Sequence, residues 1–289
     1  MGYCISSEET LSKAVRRILC EELDQAIARL RDDAEQVVSL HSARKGLKRI
    51  RGLFRLIRPA LPADFFRAQN FRFRDINRLL SPLRDVHVQR ETLEALDIPA
   101  NTIALTYAKQ LAKDEVTLLS EVAVRKKAHH LLSSIRRDIP RWPLHHVTDT
   151  HVCRGWRNIY KKARRAFEAA LEDAAPENLH EWRKRTKDLL YAFQLLEEFG
   201  SKTTDRLFSR AKDLNDCLGN DHDFFFIDEN LRQQPAARPR NELHRIATRI
   251  VKKRSKLQRN ALKLGHRIFQ DKPRDFEDTI RKRVMRGRR

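Results

Sequence analysis

The chain has 289 residues and a mass of 34.0 kDa, enough to bury a sizeable core in one large domain or two ordinary ones. Lysine and arginine total 60 against 39 acidic residues, a formal charge of +21, which points to an anionic partner. With 8 glycines and 10 prolines the composition speaks against turn-rich all-β architectures and glycine-rich phosphate loops, and 40% hydrophobic residues speak against disorder.

At the start, Met1-Gly2-Tyr3-Cys4-Ile5-Ser6 fits the loose myristoylation pattern, but bulky Tyr3 is a poor neighbour for it and a frayed start is expected. Glu8 and Glu9 interrupt this stretch, no apolar leader core is present, and no apolar run reaches the length of a membrane span. Cys4, Cys20, Cys153 and Cys217 form no C-x-x-C pair, so free thiols in a reducing, cytoplasmic setting are expected.

Helical periodicity follows almost everywhere. Residues 8–31 repeat Leu11, Val15, Ile18, Leu23, Ile27 and Leu30 on one face. A second helix over 37–58 stops at Pro59, and a segment over 64–96 is broken at Pro82. Residues 101–137 form another helix, and 138–148 read as a linker. The series restarts over 149–173, then from Pro176 to a stop at Gly200. Residues 203–231 are helical with a weak point at Leu218-Gly219-Asn220, 240–270 form a basic helix, and 271–289 read as a mobile basic arm. No segment carries the period of a strand, so the fold class is all-α.

The two halves resemble each other. Residues 40–57 and 179–196 align without gaps, matching Leu40 with Leu179, His41 with His180, Arg44 with Arg183, Lys45 with Lys184, Lys48 with Lys187 and Phe54 with Phe193. Further on, Leu79, Leu83 and His87 match Leu214, Leu218 and His222. The expectation is an internal duplication: two four-helix bundles, related by a pseudo-two-fold axis, around a basic central cavity. The halves would span 1–140 and 141–271, with a basic C-terminal tail at 272–289.

On the helix over 41–58, a histidine heads a cationic row: His41, Arg44, Lys45, Lys48, Arg51 and Arg55. Ala43, Leu47, Ile50, Leu53, Phe54 and Ile57 fill the opposite arc. From His41 to Arg58 there is no acidic residue. Like charges one turn apart repel by a few tenths of a kcal/mol per pair, so the row costs stability unless an anion answers it. In the second copy His180, Arg183, Lys184, Lys187, Tyr191 and Gln194 occupy the corresponding arc, while Trp182, Leu189, Phe193 and Leu196 face the core. Further cations share faces elsewhere: Arg67, Arg74 and Arg78; Arg154, Arg157, Lys161 and Arg164; and the row from Arg245 to Arg267. Arg84 and Lys212 complete the candidate ligands. One cation per 5.4 Å turn suits a string of phosphates, with arginine forks, lysine point charges and protonated histidines as donors.

The duplicated His41-Ser-Ala-Arg-Lys-Gly-Leu-Lys and His180-Glu-Trp-Arg-Lys-Arg-Thr-Lys segments resemble the signature helices of the CHAD domain family. Leu83-Arg84-Asp85 and Leu218-Gly219-Asn220-Asp221-His222-Asp223 resemble the segments that follow them, and the likeness spans roughly residues 6–270. The resemblance implies paired four-helix bundles around a basic cavity. It also implies binding of inorganic polyphosphate through the signature His, Arg and Lys side chains. Asp188 and Leu190 stand where the first copy has Arg49 and Arg51, and Gly219 stands opposite Arg84, so an asymmetric cavity is expected.

No P-loop, G-x-G-x-x-G or H-E-x-x-H motif is present, nor the E-x-E-x-K signature of the triphosphate tunnel enzymes that often accompany CHAD domains. The basic faces lack the carboxylates that phosphoryl transfer needs to hold magnesium, so no catalytic residue and no cofactor are expected. Asp221, His222 and Asp223 read as cap and arginine-paired residues rather than metal ligands. The expected partner is inorganic polyphosphate, with polyphosphate granules as a docking target. Nucleic acid ranks as a weaker competitor, because aromatic stacking platforms are few.

Overall fold

The computed structural model describes residues 2–31, 36–94, 96, 107, 109–114, 117, 122–196, 202–233 and 240–287. The first half contains α1 (Leu11–Arg29), α2 (Gln36–Leu56), α3 (Ala63–Leu79), α4 (Ser81–Glu94) and α5 (Val122–Asp138). The second contains α6 (Asp149–Glu172), α7 (Pro176–Leu195), α8 (Lys202–Arg232), α9 (Arg240–Ile268) and α10 (Pro273–Gly287). No strand occurs among the described residues, in line with the all-α reading.

Local chemistry sets several of these boundaries. The Thr10 side chain caps α1 by accepting from the Lys13 backbone N–H. Pro59 follows α2 in a single 3-10 turn, Arg58–Ala60, where its missing N–H is harmless. Pro176 opens α7 at a position that needs no donor. The expected weak point at Gly219 does not interrupt α8, which runs unbroken from Lys202 to Arg232. Packing on both sides of a helix outweighs one glycine.

The predicted apolar arc of α2 is fully used: Ala43, Leu47, Ile50, Leu53, Phe54 and Ile57 are all buried. They join Trp156 and Tyr160 of α6 and Trp182 and Leu189 of α7 in one continuous core. α6 crosses the end of α2 with backbone against backbone: a β-carbon at Gly155 would stand 1.7 Å from the Leu56 carbonyl oxygen, so only glycine fits. A satellite cluster of Leu93, Leu96, Leu111, Phe224, Ile227, Leu231, Ile246 and Ile250 lies apart from it.

Three segments expected to be loose are part of this core. The start is not frayed: Tyr3 and Ile5 are buried, Tyr3 donates to the Arg49 carbonyl at 2.8 Å, and the Ile5 N–H donates to the Leu195 carbonyl. The segment between α5 and α6 is a strap rather than a solvated linker. It buries Ile139, Trp142, Leu144 and Val147, and Trp142 packs on Phe54, Phe65 and Phe73. The C-terminal segment is not a mobile arm but helix α10. Its Phe276 stacks on Tyr160 at 4.0 Å between ring centres, Ile280 is buried, and Glu277 pairs with Arg157 at 3.2 Å. In each case a few large apolar side chains, from two at the start to four in the strap, suffice to dock a short segment. The helix predicted over 101–137 is described only in part, its start lying outside the described residues.

Candidate anion-binding site

α2 and α7 cross at close range. A β-carbon at Gly52 would lie 2.9 Å from the Tyr191 β-carbon, so the missing side chain sets the helix separation. Nearby, Arg55 Nη1 of α2 donates to Asp188 Oδ1 of α7 at 2.8 Å. Next to this crossing the two helices and α8 enclose a cavity of about 590 Å³. α2 contributes His41, Arg44, Lys45 and Lys48; α7 contributes Arg183, Lys187, Leu190, Tyr191 and Gln194. α8 supplies the third wall, from Phe208 through Lys212, Asn215, Asp216, Gly219 and Asn220 to Asp223.

Cations outnumber carboxylates along the lining: Arg44, Lys45, Lys48, Arg183, Lys187 and Lys212 against Asp216 and Asp223. Burial, reinforced by Arg183, Lys48 and Arg44 and only partly opposed by Asp223, pushes Lys187 down to about 7. Lys187 makes no hydrogen bond or ion pair with a described residue. Burial also lowers Arg183, whose Nη2 lies 3.8 Å from Asp223 Oδ1. Its Nε is buried without a hydrogen-bond partner among the described residues, and a β-carbon at Gly219 would lie 3.9 Å from it. Burial raises Tyr191 to about 12, so its hydroxyl stays protonated as a donor. Arg44 is aimed from the far side by α4: its guanidinium donates to the Ser81 carbonyl at 3.3 Å and to Ser81 Oγ at 3.2 Å.

Eight of the sequence-predicted ligands therefore meet in one cavity: His41, Arg44, Lys45, Lys48, Arg183, Lys187, Tyr191 and Lys212. The others lie elsewhere. Arg51 and Arg55 sit past the crossing, with Arg55 on Asp188 and Arg51 Nε donating to Asn70 at 3.1 Å. Burial, with Arg55, Arg74 and Arg78 nearby, pushes Arg51 down to about 10. Arg74 pairs with Asp75 at 3.0 Å and Arg78 is exposed. His180 stacks on His222, 5.0 Å between ring centres, and Lys184 is exposed and paired with Glu181 at 2.6 Å. Arg157 and Lys161 lie on α6, where Arg157 is taken by Glu277. The Arg84 side chain lies outside the described residues.

Asn215 and Asp216 of α8 escaped the sequence reading, which took Asp223 as an arginine-paired residue without placing it at the cavity. Asp216, Asn220 and Asp223 share a face at i, i+4 and i+7, with Asn215 beside it, a weak signal without a partner to face. They also correct the expectation that the basic surfaces hold no carboxylate, because Asp216 and Asp223 line the cavity. Asp221 faces away from it and accepts from Arg254 at 3.0 Å and Gln258 at 2.9 Å. No group of three His, Cys, Asp or Glu side chains able to hold a metal ion occurs among the described residues. No described helix is long and apolar enough to cross a membrane.

Comparison with known proteins agrees with this architecture. The CHAD domain family model matches residues 17–232. Among solved structures, the crystal structure of the CHAD domain from the plant Ricinus communis aligns with a TM-score of 0.67 at 18% sequence identity, covering 91% of this chain and 93% of that chain. At that identity the likeness shows the fold. No curated protein matches the chain. With its model matched over most of the length and its fold reproduced, the CHAD domain family is the one to which this chain belongs.

Proposed function

We propose that the chain binds inorganic polyphosphate in the cavity between α2, α7 and α8, and holds the polymer without turning it over. The observation that carries this reading is the convergence of cations from two sequence-equivalent helices on one half-open pocket, with Lys187 half-buried among them and no acid paired to it. A multivalent anion relieves the mutual repulsion of Arg44, Lys48, Arg183 and Lys187 at once, whereas a single phosphate reaches only part of the cluster. Binding without chemistry is favoured because Asp223 is already engaged by Arg183 and His222. Cytoplasmic location and attachment to polyphosphate granules belong to the same reading.

The duplicated, pseudo-two-fold arrangement of 1–140 and 141–271 belongs to this proposal too. It is supported by the helix crossing: Gly52 and Tyr191 are equivalent positions in the aligned copies and touch each other, as equivalent positions do at a two-fold axis.

The test is isothermal titration of the full chain with polyphosphate, comparing the wild type with Lys48→Glu/Lys212→Glu. Loss of two charged contacts at about 1.5–3 kcal/mol each weakens binding on the order of 100-fold or more. Unchanged affinity in the double variant overturns the site. Incubation with Mg²⁺ or Mn²⁺ and a chain-length assay tests the absence of turnover, and shortened polymer at a catalytic rate overturns it.

A further inference from the structure

α9 carries a second cationic surface. Its inner face, including Ile246, Ile250 and Ala261, is buried. On the outer face Arg245, Lys252, Lys256, Arg259, Lys263 and Arg267 are all exposed. At helical pitch they fall in a strip about 80° wide and about 33 Å long. Arg249 lies in the same strip, so each position along it from 245 to 267 is a cation. None of the six makes an ion pair with a described residue. The inner-face Arg254, by contrast, is tied to Asp221, and Lys253 at the strip's edge turns over the Phe224 ring. No acid occurs on α9 after Glu242. Like charges at successive turns destabilise an isolated helix, so this spacing carries a cost that no ion pair of Arg245, Lys252, Lys256, Arg259, Lys263 or Arg267 with a described residue offsets.

This surface is separate from the cavity, whose lining includes no α9 residue, and it lies beyond the segment matched by the family model. Its shape selects among polyanions. The strip is straight, narrow and convex, with neutral Thr248, Ser255 and Asn260 beside it. A nucleic-acid duplex winds its phosphates around an axis and engages both flanks of a helix laid in its groove. Single-stranded nucleic acid needs aromatic rings for its bases, and the strip has none. A linear, base-free phosphate chain is flexible enough to follow a straight row of cations.

We propose that the outer ridge of α9 is a second binding site for linear polyphosphate, so that one molecule holds two segments of polymer. The ligand class rests on the reading of the cavity given above. A chain long enough to reach both sites gains affinity from the second contact through effective concentration, and two separate chains become bridged.

The experiment titrates three full-length proteins with short-chain and long-chain polyphosphate: wild type, the cavity variant Lys48→Glu/Lys212→Glu, and the ridge variant Lys252→Glu/Lys256→Glu/Arg259→Glu. All three ridge positions are exposed, and a Gln triple variant serves as a charge-neutral companion. Two short-chain sites are expected in the wild type and one in each variant. For long chains the ridge variant should bind at least tenfold more weakly, with its salt slope reduced by about 2. One site in the wild type and an unchanged ridge variant overturn the ridge while leaving the cavity reading intact. A ridge variant that loses duplex DNA and keeps both polyphosphate sites overturns the choice of partner. Unchanged binding in the cavity variant with loss in the ridge variant supports the ridge and sinks the cavity reading. No binding to wild type removes both.

Discussion

Gly52 of α2 lies against Tyr191 of α7 so closely that a β-carbon at position 52 would stand 2.9 Å from the tyrosine's own β-carbon. That atom cannot rotate away, so any larger residue must push the helices apart. Gly52→Val is expected to lower the denaturation midpoint by about 1–3 kcal/mol of stability, despite its better helix propensity. It should also weaken polyphosphate binding, because both helices carry cavity ligands. Gly46→Ala is the milder comparison: its β-carbon would meet Glu22 Oε2 at 3.2 Å and the Glu22 carbonyl at 3.4 Å, so a smaller loss than at Gly52 is expected. Equal effects of the two variants count against the tight crossing.

Lys187 makes binding depend on pH. It faces Arg183 and Tyr191 on its own helix, His41, Arg44, Lys45 and Lys48 on α2, and Lys212, Asp216 and Asp223 on α8. The unfolded value is 10.5 and the folded value about 7, so the unfolded chain holds more protons between them. The contribution of Lys187 to the stability of the free protein therefore rises as pH is raised from 7 towards 10, and the full burden of this half-buried charge is felt below 7. A bound polyanion favours the charged amine. Binding above pH 7 should take up protons, approaching one per cavity, and weaken by up to about tenfold per pH unit. Titration in buffers of different ionisation enthalpy measures the uptake. Lys187→Arg, which stays charged, should flatten the profile. A flat profile in the wild type places Lys187 away from the ligand.

Asp188 is the buried counter-ion of a cluster past the crossing, held by Arg55 at 2.8 Å and Arg185 at 3.4 Å. Removing one partner of a buried pair strands the other. Asp188→Ala is expected to cost about 3–5 kcal/mol in chemical denaturation, and Asp188→Asn less. Wild-type stability in Asp188→Ala means that the arginines reach solvent on their own.

Helix α10 is a structural element, which a truncation tests. Ending the chain after Asp271 removes buried Phe276 and Ile280, each worth about 2 kcal/mol, and uncovers Trp156 and Tyr160. A lower melting temperature and new binding of a hydrophobic dye are expected. An unchanged melting curve shows that the helix does not seal the core.

The one-sided burial of α2 was legible in the sequence, because its helical period separates Leu47, Ile50 and Phe54 from Lys45, Lys48 and Arg51 without knowledge of a partner. The likeness of residues 40–57 to 179–196 was equally legible, and it nominated the two helices whose side chains line the cavity. Periodicity assigns a face, however, and not what that face meets. Arg55 and Lys48 lie on one stripe, yet Arg55 is consumed by Asp188 while Lys48 opens on the cavity. The difference arises where α7 crosses α2 at Gly52.

The third wall shows the same limit. Asp223 reads in the sequence as an arginine-paired residue, but which arginine it meets is set only where α8 folds back against Arg183. Tyr3, Trp142 and Phe276 sit in segments with low average hydropathy, and averaging hides a single large side chain that finds a pocket. Local pattern, carried by neighbours along the chain, determined the helices, their apolar faces and the surplus of positive charge. Only the tertiary structure decided which cations keep that surplus, because a counter-ion or a low-dielectric wall is supplied by residues remote in sequence, and the energy of a charge depends on what surrounds it in space.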